Sequence, residues 1–368
     1  MQNNIIFPKL PPIFIIRLIE KFRAFLKNLE RKLTPSEIII IEHVTSFWIG
    51  KAIGVAAELN IADILKEGPK QIKELAQITQ CHEQALYRLM RTLSSHGLFK
   101  EDKNQVFSLT KLGNCMIENG NKSVKYFVLH QNSEHNWRQY GEMLHCVKTG
   151  EHATKKLYNM EPFEYIEKNP DTNNVFNKSM TYTSEMSSMF MVSNYDFSKF
   201  KTIVDVGGGQ GFLLSCILYK NPNLTGTLFD LPHVVKSANQ NLDRFDVSSR
   251  CNIQSGSFFN TIPENADAYI LKNIIHDWDD EKSIQILQNI HKVMNKNSKL
   301  ICIESIISED NKPSFGKNLD LEMLVGTNGG KERTLLEYKI LYEKAGFILN
   351  KIIETPTPFN FIEGIRIN

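Results

Sequence analysis

The sequence lacks the cysteine and histidine spacings that build disulfide frameworks or hold metal ions. Its six cysteines are scattered, none forms a Cys-x-x-Cys pair, and no histidines stand at metal-ligand spacing. We therefore expect reduced thiols and no bound metal, in a protein of the cytoplasm. Zinc modules and disulfide-stapled secreted domains are excluded.

The sequence also has little excess charge and no long apolar run near its start. The formal net charge is +2 over 368 residues, so no basic field predicts a nucleic-acid partner. Arg17 and Glu20 interrupt the apolar residues 13–16, which are too few to cross a bilayer, and no small-residue cleavage site follows. We expect a cytoplasmic protein without stable membrane insertion.

An amphipathic arm is predicted at the N-terminus. Between residues 10 and 33, apolar side chains recur at helical spacing among arginines and lysines. We favour a helix that packs in a homodimer, with a helix lying on a membrane surface as the alternative.

Length and composition predict a soluble protein of more than one domain. Hydrophobic residues make up 42% and charged residues 23%, which supports a sizeable core. We divide the chain into an amphipathic arm, a winged-helix-like dimerisation domain, linker helices rich in Phe, Met and Tyr, and an α/β domain. Their predicted ranges are 1–36, 37–155, 156–195 and 196–368.

The first half has the pattern of a winged helix. An apolar helix is predicted over 38–59, followed by helices over 60–66, 71–78 and 82–96 and a small hairpin at 98–109. DNA binding by the helix at 82–96 is one interpretation. Its two arginines, Arg88 and Arg91, stand beside Glu83 and give little phosphate neutralisation, so we favour a scaffold for dimerisation.

The second half alternates short apolar runs with helical patterns. This alternation predicts βαβ units and a mostly parallel sheet of the Rossmann-like α/β class. The predicted strands are 203–206, 226–229, 268–271 and 300–303, with a closing antiparallel pair at 347–353 and 359–367. The helices between them are predicted at 211–219, 233–241 and 281–294.

A glycine-rich turn follows the first of these strands. The dinucleotide-binding fingerprint, counted from Gly207, requires a glycine where Phe212 stands, so that fingerprint fails. Gly209 and Gly211 instead have the spacing of methyltransferases. Asp230 ends the next strand, where a carboxylate can accept hydrogen bonds from ribose hydroxyls. A nucleoside ligand is predicted, with a plain strand–helix turn as the alternative.

Four motifs appear in the order of one family. They are the turn from Asp205 to Gly211, Phe-Asp-Leu-Pro-His ending at 233, Lys-Asn-Ile-Ile-His-Asp-Trp ending at 278, and Gly-Gly-Lys-Glu-Arg-Thr ending at 334. From about Glu42 to its end, the chain resembles the plant-type small-molecule O-methyltransferases, the caffeate and hydroxyindole enzymes. The resemblance implies S-adenosylmethionine as cofactor, S-adenosylhomocysteine as product and a homodimer.

The resemblance also implies the cofactor-binding residues. Asp205 opens the motif, and Gly207, Gly208 and Gly209 are expected to face the methionine part. Asp230 is expected to hold the ribose, with Leu231 beside the adenine and Lys272 near the cofactor. Ser257 and Phe258 occupy the positions where the family usually has aspartate and methionine, so the adenine amine lacks its usual carboxylate partner.

The resemblance identifies His276 as the general base. It follows a strand end, where ligands bind in open α/β sheets, and histidine suits proton removal near neutral pH. For a lone histidine at this position, a helix-entry role would be the simpler interpretation. Glu304 and Glu332 match glutamates that flank the base in the family and are expected to orient its imidazole.

An apolar acceptor pocket is implied as well. Met180 and Met323 match methionines that clamp the aromatic ring, and Phe163 and Phe176 are expected beside them. Thr183 and Thr327 stand where histidine and asparagine are common, so the acceptor is predicted not to be a caffeate. A phenolic, polyketide-derived acceptor is expected.

These features predict an O-methyltransferase that acts on a hydroxyl of a small aromatic molecule. Two other classes of function remain open from the sequence. One is a winged-helix regulator with a nucleoside-like ligand, which would bind DNA in a salt-dependent way. The other is a partner protein that keeps the fold without catalysis, although His276, Glu304 and Glu332 are all present.

Overall fold

The computed structural model describes residue 7, residues 11–120 and residues 123–367. Its α-helices are Ile13–Leu33, Ser36–Thr45, Phe47–Glu58, Ile61–Lys66, Ile72–Thr79, Glu83–Ser95, Lys125–Asn132, Glu134–Gly141, Met143–Thr149, Ala153–Tyr158, Pro162–Lys168, Pro170–Met191, Phe212–Lys220, Pro232–Val235, Asn239–Arg244, Asp280–Val293, Phe315–Gly326 and Leu335–Lys344, numbered α1 to α18. Its strands are Lys70–Gln71, Phe99–Glu101, Val106–Leu109, Thr202–Val206, Thr225–Asp230, Cys251–Ser255, Ala268–Lys272, Lys299–Glu304, Ile306–Ile307, Arg333–Thr334, Phe347–Glu354 and Asn360–Arg366, numbered β1 to β12.

The chain divides into two compact units. The first contains residues 1–13, 139–165 and 184–368, and the second contains residues 14–138 and 166–183. These cuts differ from the predicted boundaries at 36, 155 and 195, which stay predictions. Part of the predicted arm, residues 1–6 and 8–10, lies outside the described residues.

A seven-stranded sheet forms the centre of the first unit. Its strand order is β11-β12-β8-β7-β4-β5-β6, with β4 to β8 parallel to one another. Strand β12 runs antiparallel to both of its neighbours, so the antiparallel strand lies one position inside the edge. The predicted α/β class and closing antiparallel pair are confirmed, whereas β6 was not predicted.

Alternating side chains of the central strands enter two separate cores. Ile203, Ile270 and Ile301 belong to one cluster, and their neighbours Val204, Tyr269 and Leu300 belong to the other. A sheet covered on both faces needs such continuous apolar strands. Their carboxyl ends lie at one end of the sheet, and this end carries Asp205, Asp230, Lys272 and Glu304 of the predicted site.

The second unit contains the predicted winged-helix pattern. Helices α4 to α6 pack with the small sheet β1-β3-β2 around Leu75, Met90 and Phe107. The prediction of one helix over 38–59 differs from the structure, where Ser46 separates α2 from α3. The hydroxyls of Thr45 and Ser46 donate to the carbonyls of Ile41 and His43, and such bonds compete with the helix.

Residues Ser36–Glu58, which form α2 and α3, are long and apolar enough to cross a membrane by length and composition alone. Only 6% of the apolar 18-residue window in this stretch is buried, and six large apolar side chains are 44–66% exposed, namely Ile38, Ile40, Ile41, Val44, Phe47 and Trp48. Apolar patches of this kind mark surfaces that other molecules cover.

Candidate active site

The glycine turn after β4 adopts backbone angles that favour glycine. Gly207, Gly209 and Gly211 have φ angles of +69°, +61° and +75°. A Cβ atom on Gly207 would lie 2.5 Å from the Ile274 side chain, so this position also excludes larger residues. At Gly209, by contrast, no described heavy atom lies within 4 Å of where a Cβ would be. The turn therefore leaves open space above Gly209.

Asp230, at the tip of β5, holds this turn. Its carboxylate accepts hydrogen bonds from the backbone N–H of Gly209 at 2.8 Å and of Leu231 at 2.7 Å. Burial raises the pKa of Asp230, although these two N–H groups oppose the shift. Each carboxylate oxygen keeps a second lone pair for a ligand hydroxyl.

Asp205 and Lys272 lie at the ends of the neighbouring strands β4 and β7. Burial raises the pKa of Asp205 to about 7 against the opposing charge of Lys272. Burial lowers the pKa of Lys272 to about 8, while Asp205 and Glu304 oppose this shift. The Oδ2 atom of Asp205 is buried and finds no hydrogen-bond partner among the described residues. This orphaned acceptor and the open turn fit a ligand with hydroxyl and ammonium groups.

Ser257 and Phe258 follow β6. Phe258 lies near the glycine turn, because a Cβ on Gly207 would be 3.6 Å from its ring. The Asn289 side chain donates to the carbonyl of Phe258 at 3.1 Å and fixes this segment. The Ser257 hydroxyl accepts from the N–H of Phe259 at 3.3 Å. Phe258, one of the two residues that depart from the family pattern, therefore lies next to the glycine turn.

His276 belongs to a short 3-10 turn, Ile275–Asp277, shortly after β7. Its Nδ1 atom lies 2.7 Å from Oε1 of Glu332 and 3.8 Å from Oε2 of Glu304. All three side chains are buried. Ile274, two residues earlier, is the side chain that approaches Gly207. The structure thus brings the predicted base and both glutamates together, next to the glycine turn.

The two glutamates are aligned by a short parallel strand pair. Strand β9 begins two residues after Glu304, strand β10 begins one residue after Glu332, and Arg333 is paired with Ile306. Glu304 accepts the N–H groups of Ile274 and Ile275 at 3.0 and 2.9 Å, which fixes the turn that carries the base.

Three carboxylates determine the charge of the imidazole. Burial alone would lower the pKa of His276, but Asp277, Glu304 and Glu332 outweigh it and raise the pKa to about 10. Burial also raises the pKa of Glu304, against the charge of His276. In the free protein at neutral pH, His276 is therefore a cation that donates from Nδ1 to Glu332.

The same three residues have the composition of a metal site. One ligand atom from each of His276, Glu304 and Glu332 lies within 4.8 Å of the others. The 2.7 Å separation of Nδ1 and Oε1, however, is that of a charge-assisted hydrogen bond, in which a proton occupies the space between them. We interpret the cluster as an oriented base rather than a metal centre.

Sequence reasoning missed Arg333, whose fully buried guanidinium connects the catalytic segments. It donates to the carbonyls of Ile275 and Trp278 at 2.9 and 2.8 Å and to Asp280 at 2.9 Å. Arg333 follows Glu332 directly, and the two carbonyls that it binds belong to residues on either side of His276 in the chain. Its place inside the Lys-Glu-Arg-Thr motif was the available signal.

Half of the predicted acceptor residues lie in the first unit. Phe163 and Thr327 line a cavity of about 240 Å³ together with Asp277 and Trp278. The Phe163 ring is 6.1 Å from that of Trp278 at an interplanar angle of 30°. Met323 is buried on α17, and its carbonyl accepts the Thr327 hydroxyl at 2.7 Å.

The other predicted acceptor residues, Phe176, Met180 and Thr183, lie in the second unit on α12. The Phe176 ring meets His130 edge-on at 5.4 Å. The Thr183 hydroxyl donates to the carbonyls of Ser179 and Met180, each at 3.0 Å. Met180 is exposed, so its thioether is open to contact.

The sheet order, the glycine turn and the acid at the tip of β5 define a Rossmann-like enzyme that binds a nucleoside. A family model described as the O-methyltransferase domain matches residues 137–348, and one described as the O-methyltransferase dimerisation domain matches residues 41–119. The chain belongs to the plant-type O-methyltransferases that depend on S-adenosylmethionine.

Individual relatives agree with this family. The phenazine O-methyltransferase of Lysobacter antibioticus is 37% identical over 90% of this chain and 96% of its own length. The mitomycin biosynthesis 6-O-methyltransferase of Streptomyces lavendulae is 34% identical over 81% of this chain and 85% of its own length. The crystal structure of LaPhzM covers 91% of this chain and 100% of its own, with a TM-score of 0.87 and 37% identity. The predicted family, fold class, enzyme class and cofactor are confirmed.

Proposed function

We propose that this enzyme methylates a hydroxyl of a small, flat aromatic acceptor, with His276 as the general base. The observation that carries the proposal is the 2.7 Å contact between Nδ1 of His276 and Glu332, which leaves Nε2 as the nitrogen for the acceptor proton. We further propose that the protein is a cytoplasmic homodimer.

The cofactor site supports this proposal through its polar residues. Asp230 has lone pairs for ribose hydroxyls, Gly209 leaves room for the ligand backbone, and Asp205 supplies a buried, unpaired acceptor. Leu231 and Phe258 would provide apolar contact for the adenine. When bound, S-adenosylmethionine supplies an electrophilic methyl group on a sulfonium sulfur and leaves as S-adenosylhomocysteine.

The protein's own part in the step is positioning and proton transfer. Nε2 of His276 takes the hydroxyl proton as the acceptor oxygen forms its bond to the methyl carbon. Glu332 and Glu304 stabilise the imidazolium that results. A sulfonium is positive, so we expect the pKa of His276 to be lower in the cofactor complex than in the free protein, which favours the neutral base.

The names of relatives suggest the acceptor class. One relative is a phenazine O-methyltransferase, one acts on 3-amino-4-hydroxybenzoate and one on 2,7-dihydroxy-5-methyl-1-naphthoate. We propose an acceptor of this aromatic type, held in part by Phe163 and Thr327 at the cavity beside Trp278. The proposed roles of Met180 and Phe176 rest on the family resemblance.

Replacing His276 with alanine tests the proposal. Turnover of labelled S-adenosylmethionine with a panel of hydroxylated phenazines, naphthoates and benzoates should fall about 10²- to 10⁴-fold, the usual contribution of a general base. Cofactor affinity, measured by calorimetry, should stay that of the unmodified protein, since the glycine turn is untouched. The matched control is His96→Ala, at an exposed histidine of the second unit. Retained turnover in His276→Ala would refute the base.

A further inference from the structure

Helix α1, Ile13–Leu33, presents a continuous apolar face to solvent. None of its residues is buried. Its large apolar side chains are 43–78% exposed and recur at intervals of three and four residues, which places them on one side of the helix. They are Phe14, Leu18, Ile19, Phe22, Phe25, Leu26, Leu29 and Leu33.

The net positive charge of the protein resides in α1, mostly on the side opposite the apolar face. The helix has six basic and two acidic side chains, a formal charge of +4. The whole chain has a charge of +2, so the remaining residues sum to −2. A helix with aromatic and leucine side chains on one face and lysines and arginines on the other has the composition of membrane-surface helices.

The family model for dimerisation does not include this face. The dimerisation domain matches residues 41–119, which begin after α1 ends. The solved chain of LaPhzM is matched over 100% of its length by 91% of this chain, so part of this chain has no counterpart in that structure. The segment that matches the dimerisation domain therefore lies outside α1.

We propose that α1 binds reversibly to membrane surfaces that contain anionic lipid. The helix, about 31 Å long, lies in the plane of the bilayer surface with its phenylalanines and leucines at the level of the acyl boundary. Its lysines and arginines lie among the anionic headgroups. This arrangement differs from insertion, because no part of α1 crosses the bilayer.

Co-sedimentation of the full-length protein with vesicles tests the proposal. The protein should bind vesicles of phosphatidylcholine with 30 mol% phosphatidylglycerol and should bind pure phosphatidylcholine much more weakly. Added salt should release it, because exposed charges are screened. Replacing Lys21, Lys27 and Lys32 together with glutamate should weaken binding about a hundredfold or more, given the usual contribution of each basic residue at an anionic surface.

Two further variants distinguish a lipid surface from a second copy of the chain as the partner of α1. A matched control places the same charge change on the first unit, at the exposed residues Lys296, Lys344 and Lys351, and should bind vesicles like the unmodified protein. Phe22→Ser with Phe25→Ser should abolish vesicle binding and leave the oligomeric state by light scattering unchanged. Conversion of a dimer into monomers by that variant would overturn the proposal and assign α1 to the second copy. Absence of binding to the anionic vesicles would overturn it as well.

Discussion

The base and the acceptor cavity differ in how firmly their side chains are held. His276, Glu304, Glu332 and Arg333 are buried, and each is fixed by at least one short polar contact within its unit. Phe163, which lines the cavity beside them, is about half exposed and is held by one ring contact. The proposed base is thus fixed at the end of the sheet, whereas the proposed acceptor contacts come from side chains that can change at small energetic cost.

We propose that this difference lets one fold serve many acceptors. Relatives with 29–37% identity over most of this chain have names that specify phenazine, puromycin and mitomycin chemistry. Substitution of a half-exposed aromatic side chain alters shape without leaving buried polar groups unpaired. Substitution of His276, or of the residues that hold it, does leave buried polar groups unpaired. We therefore expect substitutions at His276 and the residues that hold it to have larger effects than substitutions at Phe163.

The largest effect is expected from Arg333→Met. Methionine keeps much of the volume but removes two charge-assisted hydrogen bonds to the buried carbonyls of Ile275 and Trp278, which keep only longer contacts such as those from the Ser283 hydroxyl at 3.3 Å. The free energy of unfolding should therefore fall by about 3 to 5 kcal/mol. Asp280 contributes little to this loss, because it is half exposed and screened by water. Urea denaturation, with the slope checked for constancy, measures the change.

Lys331→Met is the matched control for this variant. Lys331 also binds Asp280, at 3.1 Å, but from an exposed position. Its loss should change the free energy of unfolding by less than about 1 kcal/mol. Equal denaturation midpoints for the two variants would show that the Arg333 guanidinium does not support the catalytic segments.

A smaller effect is expected from Glu332→Gln, which keeps an acceptor for Nδ1 and removes one charge. The limiting rate at high pH should fall about 10- to 100-fold, as is usual for the loss of an orienting partner. The pKa of His276, about 10 in the free protein, should fall because one of its three carboxylates is gone. The rise of kcat/KM with pH should therefore move to lower pH, measured with a single acceptor for both proteins.

The same variant makes a prediction for stability. A histidine whose pKa is raised on folding contributes stability that is complete below its unfolded value, about 6.5, and is lost as the pH rises through its folded value. Glu332→Gln should thus destabilise the protein more at pH 6 than at pH 10. Glu337→Gln serves as the control, since glutamine can retain the capping contact to Thr334. Identical pH profiles for the two variants would contradict the pairing.

The comparison also shows what the sequence can predict. The strands β4, β5, β7 and β8 each contain a short run of buried apolar residues and were each predicted to within one residue at either end. Strand β6 was missed because it lies at the sheet edge and alternates, with only Cys251 and Ile253 apolar. A strand with one covered face and few apolar residues gives little signal.

The candidate site was predictable to the extent that its motifs are local. The glycine turn and Asp230 are read from adjacent residues and a strand end. The contact of His276 with Glu332 joins positions 56 residues apart, and the hydrogen bond from Arg333 to the carbonyl of Ile275 joins positions 58 residues apart. Spacing along the chain carries no information about such approaches, so only the family resemblance supplied the glutamates, and the one signal for Arg333 was its place in the same motif as Glu332.

The smallest effect is expected on the acceptor side, from Phe163→Leu. Leucine keeps an apolar contact but removes the ring against which a flat acceptor would pack, and aromatic pairs contribute about 0.5 to 1.5 kcal/mol. The KM for the acceptor should therefore rise about 2- to 13-fold. Cofactor affinity and the free energy of unfolding should stay nearly constant, because Phe163 is half exposed.

The matched control for Phe163 is Tyr219→Leu. Tyr219 is 39% exposed, close to the 45% of Phe163, and also makes an aromatic contact, with Phe245. It lies at the end of α13 remote from the glycine turn, so its replacement should leave the KM for the acceptor unchanged. A different order of preference among phenazine, naphthoate and benzoate acceptors in Phe163→Leu alone would show that this half-exposed position selects the acceptor. If both variants gave the same KM as the unmodified enzyme, acceptor selection would have to reside in the buried residues, and the contrast between the two regions would fail.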